Sequence, residues 1–91
     1  LVDIAAPASG FTVLAPNGAM VKKKGVSYAA ALVSGAAALA VEREPSLSGA
    51  AMLLKQRLLC NAARISRLDF EVRDGNTLDA YSVVTNAQAC P

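Results

Sequence analysis

The chain has 91 residues, 54% of them hydrophobic but only 4% aromatic, and nine Lys and Arg against seven Asp and Glu leave a net charge of +2. That length bounds it to one small domain or part of one, and so small a charge gives no footing for nucleic acid or an anionic membrane as partner. There is no His, which removes the commonest general base and metal ligand, and the two cysteines, Cys60 and Cys90, match no zinc spacing.

The apolar content is mostly Ala, Leu and Val. Such small side chains suit elements cut from the middle of a larger core, and a chain this short buries a modest share of its surface alone. It therefore reads as part of a domain. The opening Leu1 to Ala6 lacks a charged n-region, so no signal peptide is read in it.

Leu1 to Ala6 has the length and character of a buried strand, stopped by Pro7. Phe11 to Leu14 is a second short strand. Asn17-Gly18 is a strong turn signal, and Ala19 to Lys22 returns from it as the second arm of a hairpin. The run Lys22-Lys23-Lys24 has the charge to touch phosphate, but reads first as a solvated loop or strand edge. Gly25 then punctuates the chain.

Ser27 to Glu42 is almost continuously apolar, with Ser34 the one polar residue between Tyr28 and Val41. Ala and Leu favour helix, and a helix apolar all round is a buried one. The run falls short of the roughly 18 residues a membrane span requires. Pro45 closes it. Ser46 or Ser48 is the candidate N-cap of a next helix, whose stripe Leu53, Leu54, Leu58 and Leu59 is amphipathic and ends near Asn61 to Ala63. Residues 64 to 76 are charged and irregular, with Asp74-Gly75-Asn76 as a turn. Leu78 to Val84 is a last short helical element. Cys60 and Cys90 form a disulfide in a secreted parent or stand as two separate buried thiols.

Chemistry concentrates at Gly25-Val26-Ser27. The first N–H groups of a helix have no intrahelical partner and carry partial positive charge, which favours an anion beside them. A tetrahedral oxyanion built on the Ser27 hydroxyl would sit next to the Ser27 N–H, one donor of an oxyanion hole. The competing reading of a serine here is a plain N-cap.

The whole segment from Gly25 to Leu39 resembles the signature of the subtilases, Gly-Thr-Ser-Met-Ala-Ala-Pro-His-Val-Ser-Gly followed by an Ala-rich run. Gly25, Ser27, Ala29, Ala30, Val33, Ser34 and Gly35 match in register. Val2 to Pro7 is similar to that family's strand upstream of the nucleophile, Glu44 to Ser48 to its turn before the next helix, Lys55 to Leu59 to that helix's Lys-Gln-Arg-Leu-Leu, and Gly75 to Val84 to its closing segment. These landmarks stand in family order along nearly the entire chain.

The resemblance implies an α/β fold, the C-terminal portion of a three-layer subtilisin-like sandwich, with residues 1–91 a C-terminal fragment of the catalytic domain. It implies a serine endopeptidase in which Ser27 is the nucleophile and forms the acyl-enzyme. In this family the order is Asp, His, Ser, with an oxyanion Asn between His and Ser, and none of those three falls in this chain. Asp3 and Asp79 align with non-catalytic positions, and Asn17 is too close to the serine. The isolated 91 residues are therefore expected to be inactive. Partners implied are a peptide or protein substrate and the upstream part of the same domain. No cofactor is implied, and nothing here matches the calcium sites common in the family. Its members are mostly secreted.

Three departures stand out: Val26 for Thr, Ala31 for Pro and Leu32 for the non-catalytic His. They motivate an alternative, a catalytically dead subtilase-like domain kept for binding or scaffolding. A third reading is a free-standing helical interaction module.

Overall fold

A computed structural model describes residues 2–68 and 71–86. In chain order these form β1 (Phe11–Leu14), β2 (Met20–Lys23), α1 (Val26–Arg43), α2 (Ala51–Cys60), β3 (Ala63–Arg64), β4 (Asn76–Thr77) and α3 (Ala80–Thr85), with short 3-10 turns at Pro45–Leu47, Ser66–Leu68 and Arg73–Gly75.

β1 and β2 form the expected antiparallel hairpin, with Phe11 opposite Lys23 and Leu14 opposite Met20. The turn is built from its own residues. The Ala15 N–H donates to the Ala19 carbonyl at 2.8 Å, the Gly18 N–H to the Ala15 carbonyl at 2.9 Å and the Ala19 N–H to Asn17 Oδ1 at 3.0 Å. Gly18 takes φ 85°, a left-handed conformation that a residue without Cβ adopts freely.

The predicted first strand is reduced to two isolated parallel bridges, Val2 to Val72 and Ala5 to Thr77. Ala5 donates to the Asn76 carbonyl at 2.9 Å and accepts from the Leu78 N–H at 2.8 Å, while Val2 accepts from the Arg73 N–H at 2.7 Å. The intervening turn, where Asp74 takes φ 54°, interrupts the ladder between the two contacts. Ile4, Ala5 and Ala6 are half-buried and Val2 is exposed, so the segment is less covered than its composition suggests.

α1 begins one residue earlier and ends one later than the sequence indicates. Its last turn closes when the Glu44 N–H donates to the Ala40 carbonyl at 2.9 Å. Only Ala29, Ala36 and Ala40 of its 18 residues are buried. One stripe packs against α3 and the Pro45–Leu47 turn, while Leu32 and Leu39 face outward as apolar surface that a larger domain would cover. The core is the cluster Ala40, Leu47 and Val83, with Val41, Leu54, Leu58 and Leu78 against it.

Two expectations for α2 are corrected. Neither Ser46 nor Ser48 caps it. Pro45 starts a separate 3-10 turn, and α2 opens at Ala51 from Ala50 with no side-chain cap. The leucine stripe is split: Leu54 and Leu58 meet the core, whereas Leu53 is exposed. The buried residue of this helix is Arg57, which donates from Nη1 to the Val83 carbonyl at 3.3 Å and pairs through Nη2 with Glu44 at 2.8 Å.

α3 forms where the sequence puts its last helical element. Asp79 is its N-cap, accepting from the Ser82 N–H at 3.1 Å and from the Ser82 hydroxyl at 2.9 Å. Cys90 lies outside the described residues, so the cysteine pairing read from the sequence does too.

Candidate functional site

Ser27 is the second residue of α1 and is exposed. It is not the cap of that helix. Gly25 occupies the N-cap position and no side chain caps α1. Gly25 sits at φ 149°, ψ 157°, a region that residues with a side chain rarely enter, and a Cβ there would stand 3.5 Å from the Tyr28 ring. Its N–H donates to the Ala8 carbonyl at 2.7 Å, and its carbonyl accepts from the Tyr28 N–H at 3.1 Å. The chain is thus pinned on both sides of the turn that presents Ser27.

Among the described residues, nothing accepts from the N–H of Val26 or of Ser27. These donors lie at the positive end of an 18-residue helix. The arrangement is suited to meeting negative charge that develops beside the Ser27 hydroxyl.

The hairpin contributes a second support that the sequence reading missed. Phe11 of β1 stacks on Tyr28, ring centroids 5.9 Å apart and planes inclined by 27°. The residue directly after Ser27 is thereby clamped from the hairpin side. The sequence marked Phe11 to Leu14 as a short strand, with no sign of which element its side chains would meet.

Val26, just before Ser27, is 80% exposed, and its side chain brings no donor. An open apolar groove of about 460 Å³ runs beside the first turns of α1, walled by Ile4, Ala6, Val26, Ala29 and Val33. A second, of about 640 Å³, lies along Leu32, Gly35, Leu39 and Leu78. Both faces of the helix that carries the serine therefore offer apolar surface for further packing.

The other polar residues weighed from the sequence have structural work. Asp3 pairs with Lys55 at 3.2 Å and with Arg73 at 3.0 Å. The hydrogen bond from Lys55, together with the charges of Lys55 and Arg73, holds its carboxyl below the ordinary value of 3.8. Asp79 caps α3 and Asn17 ties the hairpin turn. None of the three joins Ser27. Among the described residues, no group of three or more His, Cys, Asp or Glu is placed to hold a metal ion, and no helix is long and apolar enough to cross a membrane.

Comparison with known proteins gives the family and the fold. The model of the subtilase family of peptidases matches residues 1–87. A structure of the subtilase cytotoxin SubAB, determined for its assembly, superposes with a TM-score of 0.85 at 34% identity, over 93% of this chain and 26% of that one. The A-subunit of an AB5 toxin from E. coli gives a TM-score of 0.80 at 31% identity, over 93% of this chain and 27% of that one. The chain thus spans about a quarter of the length of these solved relatives. No curated protein matches it.

Proposed function

The chain belongs to the subtilase family, and on that premise we propose that it supplies the nucleophile of a serine endopeptidase. Residues 1–91 then form a C-terminal fragment of the catalytic domain. The observation that carries this reading is the state of Ser27: exposed, released from capping, and set beside an unengaged backbone N–H at the start of α1.

In this mechanism the Ser27 oxygen attacks the scissile carbonyl and its proton passes to a base. The carbonyl oxygen becomes an oxyanion that the Ser27 N–H helps to hold. The amine leaves with a proton, and water then releases the acyl group from Ser27. The chain contains no His, so the base, the orienting Asp and the side-chain oxyanion donor come from the rest of the domain. That remainder is also the partner proposed for the apolar grooves flanking α1, whose linings leave Leu32 and Leu39 exposed. Substrate is peptide or protein, with no nucleic acid or membrane engaged.

Val26 favours a second reading, a subtilase-like domain that binds without turnover, because no hydroxyl stands beside the oxyanion position. Hydrolysis of an unstructured protein substrate by the full-length protein separates the two. Cleavage that is lost in Ser27→Ala supports the peptidase, and substrate binding without cleavage supports the scaffold.

A further inference from the structure

The hairpin that clamps Tyr28 also carries charge toward the nucleophile. Residues directly opposite in an antiparallel pair share a face of the sheet. Lys23 lies opposite Phe11, and Phe11 stacks on Tyr28, so Lys23 shares the hairpin face that meets the start of α1. Lys22 lies opposite Thr12 on the other face. Lys24 is three residues before Ser27, a stretch that spans at most about 10 Å, and Gly25 between them is tied to Ala8.

Among the described residues no ion pair neutralises this charge. Lys22, Lys23 and Lys24 are all exposed. Among the described residues the ion pairs are Asp3 with Lys55 and Arg73, and Glu44 with Arg57, and none involves the lysine run. The sequence has no acidic residue between Asp3 and Glu42. The charge next to Ser27 in sequence is therefore positive, carried by Lys22, Lys23 and Lys24, and the helix N-terminus adds to the same sign.

We propose that Lys23 and Lys24 are specificity-determining residues that make the Ser27 site select acidic peptide segments, with substrate carboxylates close to the scissile bond. The inference rests on Ser27 being the nucleophile for its catalytic meaning, but the binding preference is measurable without catalysis. Lys22 provides an internal control of equal charge on the opposite face.

The test uses the full-length protein carrying Ser27→Ala and two fluorescent peptides that differ only in Glu against Gln at the positions flanking the scissile bond. Anisotropy titrations at low salt should show the Glu peptide binding about fivefold tighter, the scale of two exposed charge pairs. That ratio should fall to about one in the Lys23→Gln, Lys24→Gln double variant, persist in Lys22→Gln, and collapse when salt is raised about tenfold. A ratio unchanged in the double variant, or lost equally in Lys22→Gln, overturns the proposal. So does tighter binding of a single-stranded oligonucleotide than of the Glu peptide. With Ser27 intact, cleavage of the Gln peptide at the same efficiency as the Glu peptide sinks the selectivity and leaves the peptidase standing. Glu-selective binding without any cleavage leaves the acidic-peptide site standing and sinks the peptidase.

Discussion

Phe11 and Tyr28 stack with ring centroids 5.9 Å apart, joining the hairpin to the residue that follows Ser27. Aromatic pairs of this kind contribute about 0.5–1.5 kcal/mol beyond the area they bury. The two rings are 17 residues apart in sequence and hold the first turn of α1 against β1, so loss of the stack should loosen the nucleophile before it unfolds the domain.

Phe11→Ala in the full-length protein should lower kcat about tenfold with a small change in KM, because a misplaced attacking atom costs the reacting geometry more than it costs binding. Phe11→Tyr should retain most of the activity. Steady-state kinetics on one peptide substrate for both variants check this. Equal losses in the two would mean the ring stack does not position Ser27.

Gly25 is the second lever on the same turn. At φ 149° the strain is in the backbone, since a Cβ would meet the Tyr28 ring at an ordinary contact distance of 3.5 Å, and Gly25→Ala should cost about 1–3 kcal/mol. Activity should fall more than stability, since the strained residue lies two positions from Ser27. Thermal unfolding and kcat measured on the same preparation separate the two effects. Wild-type kcat in the variant would contradict the strain argument.

Much of this site was legible in the sequence because its determinants are local. Asn17-Gly18 specifies the hairpin turn, Gly25 the turn into α1, and the Ala-rich run the helix that follows. What was not legible depends on partners distant along the chain. The charge of Arg57, between leucines, pointed outward to solvent, yet its partner carbonyl on Val83 lies 26 residues away and draws it inside. Ser46 and Ser48 looked like caps, but Pro45 begins a 3-10 turn of its own and moves the helix start to Ala51. The outward exposure of Leu32 and Leu39 has the same character: an all-apolar helix indicates burial without saying which chain segment provides it.

Arg57 yields an asymmetric stability prediction. It is 6% exposed, whereas the Glu44 side chain is 47% exposed. Removing the arginine strands the Val83 carbonyl and opens space beside the core, at about 2–3 kcal/mol. Removing Glu44 leaves a guanidinium that is only 7% exposed without its counter-charge and should cost more, about 3–5 kcal/mol. Urea titrations of Arg57→Ala and Glu44→Ala in the full-length protein test the ordering, and comparable losses would contradict it.

Asp3 sets a pH dependence at the other end of the molecule. Its carboxyl is held below its ordinary value, first by the Lys55 hydrogen bond and then by the charges of Lys55 and Arg73. A depressed folded-state pKa means that its stabilising contribution is present above the ordinary value of 3.8 and is lost as pH falls through the lower folded value. Asp3→Asn should therefore flatten the acid limb of the stability profile and leave its slope near neutrality unchanged. An acid limb identical to the parent's would show that the Asp3 pairs carry no linkage.

Activation of Ser27 as a nucleophile is read by fluorophosphonate labelling of the full-length, mature protein, with the modified residue located by peptide mass spectrometry. Such probes react with a serine whose hydroxyl is deprotonated by a working base. Label is expected on Ser27 and none in Ser27→Ala. An unlabelled Ser27 in folded protein freed of any inhibitory propeptide would contradict it and leave the binding domain as the better reading.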